Sequence, residues 1–92
     1  MRERAVVVGH SEGLHARPAA RFVQTARRFR SRVRVLYGGR EADAKSLLSL
    51  LALGVEQGAV IAIRAEGEDA EEALAALEKV AMGQLRKPPT GF

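Results

Sequence analysis

The sequence predicts an α+β fold in which three helices cover one face of a four-stranded antiparallel sheet. Its 92 residues have the length of one domain, and 47% of them are hydrophobic, which is enough for a single core. The hydrophobic period changes along the chain and gives the order strand, helix, strand, strand, helix, strand, helix. One predicted strand carries arginines between its apolar residues, so one side of the sheet should face solvent. These observations together favour an open-faced β-sandwich.

The first strand and the first helix are predicted from a change of period near residue 9. The apolar run 5–8 reads as a strand that Gly9 terminates. A helix begins near His15, because from Ala16 onward apolar residues recur at spacings of three and four. Pro18 fits its first turn, where backbone N–H groups have no partner within the helix. The recurring residues are Ala19, Phe22, Val23, Ala26 and Phe29.

The middle of the chain predicts a β-hairpin. Residues 32–37 alternate between arginines on one face and valines on the other, which is the period of a half-buried strand. The pair Gly38-Gly39 supplies the positive φ angles of a two-residue turn. Residues 40–43 should therefore return as a short third strand.

A short Leu-rich helix follows the hairpin. Ser46 is placed to act as its N-cap, and Gly54 stands just after its end, so the helix is predicted over 47–53.

The last two elements are a strand and a long helix. Residues 60–65 form a run rich in β-branched side chains, which is typical of a strand. Asp69 and Glu72 have the spacing of an N-cap and a capping box. The final helix is predicted to follow them and to end near Gly83.

Charge and composition narrow the possible partners. The chain has 15 Lys and Arg against 11 Asp and Glu, and residues 1–46 hold 11 of the basic side chains, so an anionic partner is expected. An RNA-binding sheet would stack bases on interleaved aromatic side chains. Tyr37 is the one aromatic residue on a predicted strand. The partner is therefore expected to be an acidic protein surface rather than a nucleic acid.

Other classes of site are excluded by composition. The absence of Cys excludes disulfides, thiolate nucleophiles and Cys-based zinc sites, and we expect no metal and no cofactor. The longest uncharged run, 46–55, is far shorter than the roughly 20 apolar residues of a bilayer span. The apolar run near the start is too short for a signal peptide. We expect a cytoplasmic protein that does not insert into membranes.

The motif Gly13-Leu14-His15-Ala16-Arg17-Pro18-Ala19 is the strongest functional signal. It places an imidazole at a helix start, where the amides of Ala16 and Arg17 and the helix dipole favour an anion. Arg17 adds a planar guanidinium that suits phosphate oxygens. The same positive field disfavours imidazolium, so we expect a neutral, nucleophilic His15 ring. A neutral imidazole of this kind can accept a phosphoryl group. The sequence has no phosphate-binding loop for a nucleotide, so that group must come from a partner.

With Lys45-Ser46 and Leu53-Gly54, this motif closely resembles the HPr family of histidine-containing phosphocarriers of the phosphoenolpyruvate-dependent sugar phosphotransferase system. The resemblance covers one domain over residues 1–85, and residues 86–92 are predicted to be a disordered tail. It implies that enzyme I phosphorylates His15 on Nδ1 and that His15 passes the group to A-type domains of enzymes II. Arg17 would stabilise the phosphoryl group. The chain would be a phosphoryl-transfer intermediate and not a standalone enzyme.

The Leu-rich helix and the first helix are predicted to form the partner surface. Five leucines cannot all face inward from two helical turns, so either loops cover some of them or they form an exposed docking patch. In HPr-like proteins this helix contacts enzyme I and enzyme II partners. The candidate docking residues are Ala20, Arg21, Arg27, Leu47, Leu48 and Leu51.

Ser46 carries a second hypothesis. As an N-cap, Ser46 has a purely structural role. In some Gram-positive relatives, however, the matching serine is phosphorylated by HPr kinase/phosphorylase. A regulatory HPr-like module, acting through Ser46 or in the nitrogen-type branch, is therefore the alternative function. In either case we expect a monomer.

Two residues near the motif depart from or add to the family pattern. Glu12 stands where the family commonly has Asn, Ser or Ala, so its carboxylate would either weaken phosphorylation or point to solvent. His10 is predicted to be a solvated side chain with no role.

Overall fold

Seven elements occur in the predicted order in the computed structural model, which describes residues 1–11 and 13–83. The predicted tail over 86–92 and the prediction for Glu12 lie outside the described residues. The fold class is confirmed, and most bounds agree within one residue. The first strand differs, since it begins three residues earlier than its apolar run. The elements are β1 Arg2–Val7, α1 Ala16–Ala26, β2 Arg32–Tyr37, β3 Arg40–Asp43, α2 Leu47–Ala52, β4 Val60–Glu66 and α3 Ala70–Met82.

The four strands form one antiparallel sheet in the order β1-β4-β2-β3. Val7 at the end of β1 pairs with Val60 at the start of β4. Because of this register, the segment that follows β1 and the segment that precedes β4 meet at the same end of the sheet. His15 lies at the end of the first of these segments.

The two faces of the sheet differ as the alternation predicts. The inner face is apolar, and Val35 of β2 lies between Ile63 of β4 and Ala42 of β3 in a row of buried side chains. The helices cover this face and contribute Phe22, Leu50 and Leu74, all fully buried. Such burial contributes about 1.5–3 kcal/mol for each large apolar side chain.

The outer face carries ion pairs that join neighbouring strands. Arg34 of β2 lies directly opposite Arg64 of β4, which would be unfavourable for two like charges alone. Each arginine has an acidic partner on an edge strand: Arg34 bonds to Glu41 of β3, and Arg64 donates to Glu3 of β1 at 3.0 Å. The hydrogen bond from Arg34 to Glu41 also raises the pKa of Arg34. The edge strands thus supply the charges that the two central strands need.

The start of α2 and the end of α3 follow the sequence signals. The backbone N–H of Ser49 donates to Ser46 Oγ at 3.3 Å, which confirms Ser46 as the N-cap of α2. Gly83 adopts the left-handed conformation that ends α3, with φ 80°. Across residues 1–11 and 13–83, no helix combines the length and the apolar character needed to cross a membrane.

Asp69 is the N-cap residue of α3, as predicted, but the predicted capping box is wrong. The Asp69 side chain makes no capping hydrogen bond to its own helix. It accepts instead from the backbone N–H groups of Arg30 and Ser31, each at 2.9 Å, and from the Ser31 hydroxyl. Three donors across the gap between α3 and the α1–β2 turn outcompete the local amides. These bonds lower the pKa of Asp69, the Ser31 hydroxyl being the largest cause.

Candidate functional site

His15 is the N-cap residue of α1, and its side chain is exposed. Its backbone is extended, with φ −116° and ψ 162°, and its ring makes no capping hydrogen bond to the helix. The His15 carbonyl accepts the first helical bond, from Ala19 N–H at 3.3 Å. The backbone of His15 is therefore held by the helix while its imidazole stays available to an incoming group.

The backbone turns sharply at Ala16, directly after His15. Ala16 has φ 38° and is the one residue other than glycine with a positive φ among residues 1–11 and 13–83. A left-handed backbone costs an L-residue about 1–2 kcal/mol. Such strain concentrates at functional sites, where the surrounding structure holds it in place. The motif thus contains a strained turn that composition did not predict.

Arg17 and the first helical amides provide the positive side of the site. Arg17 is exposed and stands in the first turn of α1, two residues after His15. N–H groups in a first turn have no carbonyl partner within their helix, and together they form the positive end of the helix dipole. The arrangement suits the binding of an anionic group at the His15 ring.

Residues 8–11 and 13–15, which we name the acceptor loop, are held against the segment 55–59. Leu14 is buried, and its N–H donates to Val55 O at 2.9 Å. Gly13, with φ 70°, is packed so closely that a Cβ there would lie 2.2 Å from the same oxygen. At the start of the loop, Val8 N–H donates to Ala59 O at 2.9 Å. His15 therefore follows a backbone fixed by packing on a neighbouring segment.

The prediction for His10 is wrong, because its ring is half-buried and bonded. His10 Nε2 lies 2.6 Å from the carbonyl oxygen of Val80 in the last turn of α3. Since a carbonyl oxygen only accepts, Nε2 carries the proton and donates. The partner is 70 residues away in the sequence. No local pattern could have identified this contact.

The candidate docking residues are only partly brought together. Leu48 is 81% exposed and Leu47 38%, so loops do not cover them, whereas Leu50 and Leu53 are buried. Leu51 is half-buried against the core. Arg21 is exposed on α1. A shallow cleft of about 260 Å³ joins α1 to α2 and is lined by Ala20, Val23, Gln24, Arg27 and Leu47.

Val23 and Gln24 are the lining residues that the sequence did not assign. Their spacing from Ala20 and Arg27, three and four residues, places all four on one side of α1 and was the signal available. Arg27 Nε also donates to Lys45 O at 3.1 Å. This bond holds the end of α1 next to the residue that precedes Ser46.

The described residues contain no cluster of possible metal ligands. No group of three or more His, Asp or Glu side chains within residues 1–11 and 13–83 is placed to hold a metal ion. The chemistry that the described site offers is that of the imidazole, the guanidinium and the helix amides.

Comparison with known proteins identifies the family. The model of the family described as "PTS HPr component phosphorylation site" matches residues 2–82. Phosphocarrier protein HPr of Buchnera aphidicola is 42% identical over 74 residues, which are 80% of this chain and 87% of that protein. Phosphocarrier protein HPr of Haemophilus influenzae is 48% identical over 64 residues, covering 70% of this chain and 75% of that protein.

A solved structure supports the same conclusion at the level of the fold. HPr-C-His from Thermoanaerobacter tengcongensis superposes with a TM-score of 0.89 at 41% identity. The match covers 96% of this chain and 99% of that one. The chain belongs to the HPr family of phosphocarriers of the phosphotransferase system.

Proposed function

We propose that this chain is a stoichiometric phosphoryl carrier whose acceptor is Nδ1 of His15. Phosphorylated enzyme I would supply the group, which originates from phosphoenolpyruvate, and A-type domains of enzymes II would receive it. The observation that carries the proposal is that the His15 ring, at the N-terminus of α1, is exposed and makes no capping hydrogen bond to the helix. Family membership supports it, and the match over residues 2–82 favours residues 1–85 as the carrier domain.

The transfer needs no general base. The lone pair on Nδ1 of the neutral ring attacks phosphorus, so a nitrogen–phosphorus bond forms and the bond from phosphorus to the enzyme I donor atom breaks. The donor keeps the electron pair of the broken bond, and the proton on Nε2 stays on the ring during this step. A nucleophile of the enzyme II domain then removes the phosphoryl group by the same displacement.

Arg17 and the amides of Ala16 and Arg17 would hold the transferred group. The helix N-terminus favours an anion by roughly 0.3–1 kcal/mol, and more where the site is partly shielded from water. The Arg17 guanidinium adds charge-assisted hydrogen bonds to phosphoryl oxygens. Both contributions favour the phosphorylated form of His15, because the phosphoryl group is an anion.

The partners would dock beside His15 on the α1–α2 cleft. This surface combines an apolar part, Leu47 and Leu48, with the cations Arg21 and Arg27. An acidic rim on enzyme I or on an A-type domain would complement the cations and steer the encounter. One docking surface for both partners is what a carrier that is loaded and unloaded in turn requires.

The regulatory alternative is less well supported than the carrier. The two relatives compared above, from Buchnera aphidicola and Haemophilus influenzae, are named phosphocarrier proteins, and the chain has an exposed His15. Phosphorylation of Ser46 by an HPr kinase/phosphorylase would add nearly two negative charges beside the docking surface and repel an acidic partner. We propose it as a control on the carrier and not as a separate function.

The experiment is a phosphorylation assay with phosphoenolpyruvate and a bacterial enzyme I. We expect the wild-type chain to take up one acid-labile phosphoryl group and to release it to an A-type enzyme II domain. The chain has two histidines, which provides a matched pair of variants. His15→Ala should remain unlabelled, and His10→Gln should still be labelled. An unlabelled wild type, or label on His15→Ala, would refute the proposal.

Since phosphoenolpyruvate is a cytoplasmic metabolite, we also propose the cytoplasm as the location of the chain. We propose a monomer as its working form.

A further inference from the structure

We infer that His10 is a positioning residue for the acceptor loop, because its ring fastens the start of that loop to the C-terminal turn of α3. The inference rests on the proposed function, since it concerns how His15 is held for phosphoryl transfer. His10 does not contact the transferred group in this proposal. It acts through the backbone bond from Gly13 N–H to His10 O and the residues that follow, 13–15.

Two consecutive residues join the acceptor loop to α3. His10 Nε2 donates to Val80 O at 2.6 Å, and Gly9 N–H donates to Ala81 O at 2.9 Å. The approach at Gly9 is so close that a Cβ there would lie 2.5 Å from Met82 O. The His10 ring also lies over the turn that ends α3, since a Cβ at Gly83 would be 3.7 Å from His10 Cε1.

The His10 backbone then connects this anchor to the phosphoacceptor. Gly13 N–H donates to His10 O at 2.9 Å, which closes a turn within the loop. Gly13 packs on Val55 O, and Leu14 N–H donates to the same oxygen. The His15 ring makes no anchoring bond to α1, so its place depends on this backbone. His10 on one side and Val55 on the other thus hold the loop between α3 and the segment before β4.

The His10 bond matters more for the loop than for the helix. Val80 O also accepts from Gly83 N–H at 3.1 Å, so loss of the imidazole leaves the helix carbonyl with a partner. Removal of the His10 ring therefore leaves the Val80 carbonyl oxygen hydrogen-bonded, and the end of α3 is not destabilised by an unsatisfied buried acceptor. The loop, in contrast, loses its side-chain attachment to α3. A positional effect larger than the effect on folding is the expected signature.

The His10 side chain lines a cleft between the first turn of α1 and the last turn of α3. This cleft has a volume of about 370 Å³ and is lined by Gly9, His10, Ser11, Pro18, Gln57, Met82 and Gly83. Pro18 belongs to the first turn of α1 and Met82 to the last turn of α3. His10 thus shares this cleft with residues from both helix ends.

Three variants test the inference on the full chain. His10→Ala removes the donor, and His10→Gln keeps a side-chain N–H that can reach a carbonyl oxygen. Ser31→Ala is the matched control, because it removes a hydrogen bond at the opposite end of α3 without touching the acceptor loop. Each variant is measured for amide hydrogen exchange at residues 13–15 and for the rate of phosphoryl uptake from phosphorylated enzyme I at low carrier concentration.

We expect His10→Ala to exchange about tenfold faster at residues 13–15 and to accept the phosphoryl group about tenfold more slowly, since small misplacements of a reacting group have large rate costs. His10→Gln should recover both values to within about twofold, and Ser31→Ala should change neither. Unchanged exchange and rate in His10→Ala would overturn the inference, and so would an equal loss in Ser31→Ala. If the wild type takes up no phosphoryl group, the proposed function fails, and the exchange rates alone decide whether His10 anchors the loop.

Discussion

The carboxylate of Asp69 accepts two hydrogen bonds from Ser31, one from its N–H and one from its hydroxyl, across 38 residues of sequence. This contact fastens the turn after α1 to the start of α3. Gly67 makes room for it, because a Cβ there would lie 2.6 Å from Ser31 Oγ. The contact also gives the fold a defined dependence on pH.

We predict that Asp69→Asn lowers the resistance of the chain to urea at pH 7 and that this loss disappears in acid. Hydrogen bonds from Ser31 and Arg30 hold the pKa of Asp69 below its usual 3.8. A carboxyl whose pKa is lower in the folded state stabilises the fold above its unfolded pKa, and this contribution is lost as the pH falls through the folded value. Urea midpoints for wild type and variant should therefore converge as the pH falls below 3.8 and through the lower pKa of Asp69 in the folded state. The control is Glu72→Gln, which removes a carboxylate from the first turn of α3 but leaves the hydrogen bonds between Ser31 and Asp69 in place. A gap between wild type and Asp69→Asn that stays constant from pH 7 to pH 2 would contradict the prediction.

A pair of glycine variants separates close packing from backbone strain. Gly13 and Gly38 both have positive φ, 70° and 61°, but a Cβ at Gly13 would meet Val55 O at 2.2 Å, whereas nothing lies within 4 Å at Gly38. Gly38→Ala should cost about 1 kcal/mol of unfolding free energy from strain alone. Gly13→Ala should cost at least about 2 kcal/mol more, because the loop must move away from Val55. It should also slow phosphoryl uptake. Equal unfolding free energies for the two variants in urea would show that the contact at Gly13 is unimportant.

Two leucines of α2 should separate folding from docking. Leu50 is fully buried and Leu48 is 81% exposed, although they are two residues apart on one helix. Leu50→Ala is expected to lower the unfolding free energy by about 2–5 kcal/mol, and Leu48→Ala by less than about 0.5 kcal/mol. Leu48→Ala should instead raise the carrier concentration needed for half-maximal phosphorylation by enzyme I. Thermal unfolding and the phosphorylation assay measure the two effects, and a Leu48→Ala variant with wild-type transfer would remove Leu48 from the docking surface.

The hydroxyl oxygen of Ser46 should contribute to the stability of the chain as the N-cap acceptor of α2. Ser46→Ala loses the bond from Ser49 N–H and is expected to destabilise the chain by about 1 kcal/mol. Ser46→Asp keeps an acceptor at the helix start, so it should retain the wild-type stability while its charge slows uptake from an acidic partner. Ser49→Ala is the control for loss of a hydroxyl in the same helix, and its urea midpoint should stay near that of the wild type. If Ser46→Asp is as unstable as Ser46→Ala, the capping explanation is wrong.

The sequence predicts those parts of the molecule that are decided by neighbours in the chain. β2 and β3 occupy the predicted residues, because alternation and the Gly38-Gly39 turn are local signals. The start of β1 was missed, since Arg2 to Arg4 show no apolar period. Arg4 is accommodated by Glu71 and Glu78 of α3, to which it donates at 2.9 and 2.8 Å.

The same division applies to the candidate site. The motif around His15 predicts both the helix, which the structure confirms, and the acceptor that we propose, because its residues are seven consecutive positions. The supports of the site were not predictable in the same way. His10 finds its partner at Val80, and Gly13 meets Val55, so each depends on where distant segments are brought by the sheet.

The charged edge strands have a consequence for self-association. An exposed sheet border can template the addition of a strand from another molecule, and proteins oppose this with charged residues along the border. Here the borders are β1, with Arg2, Glu3 and Arg4, and β3, with Arg40, Glu41 and Asp43. Glu3 and Glu41, which bind the arginines of the two central strands, thus also discourage the pairing of a fifth strand at either border.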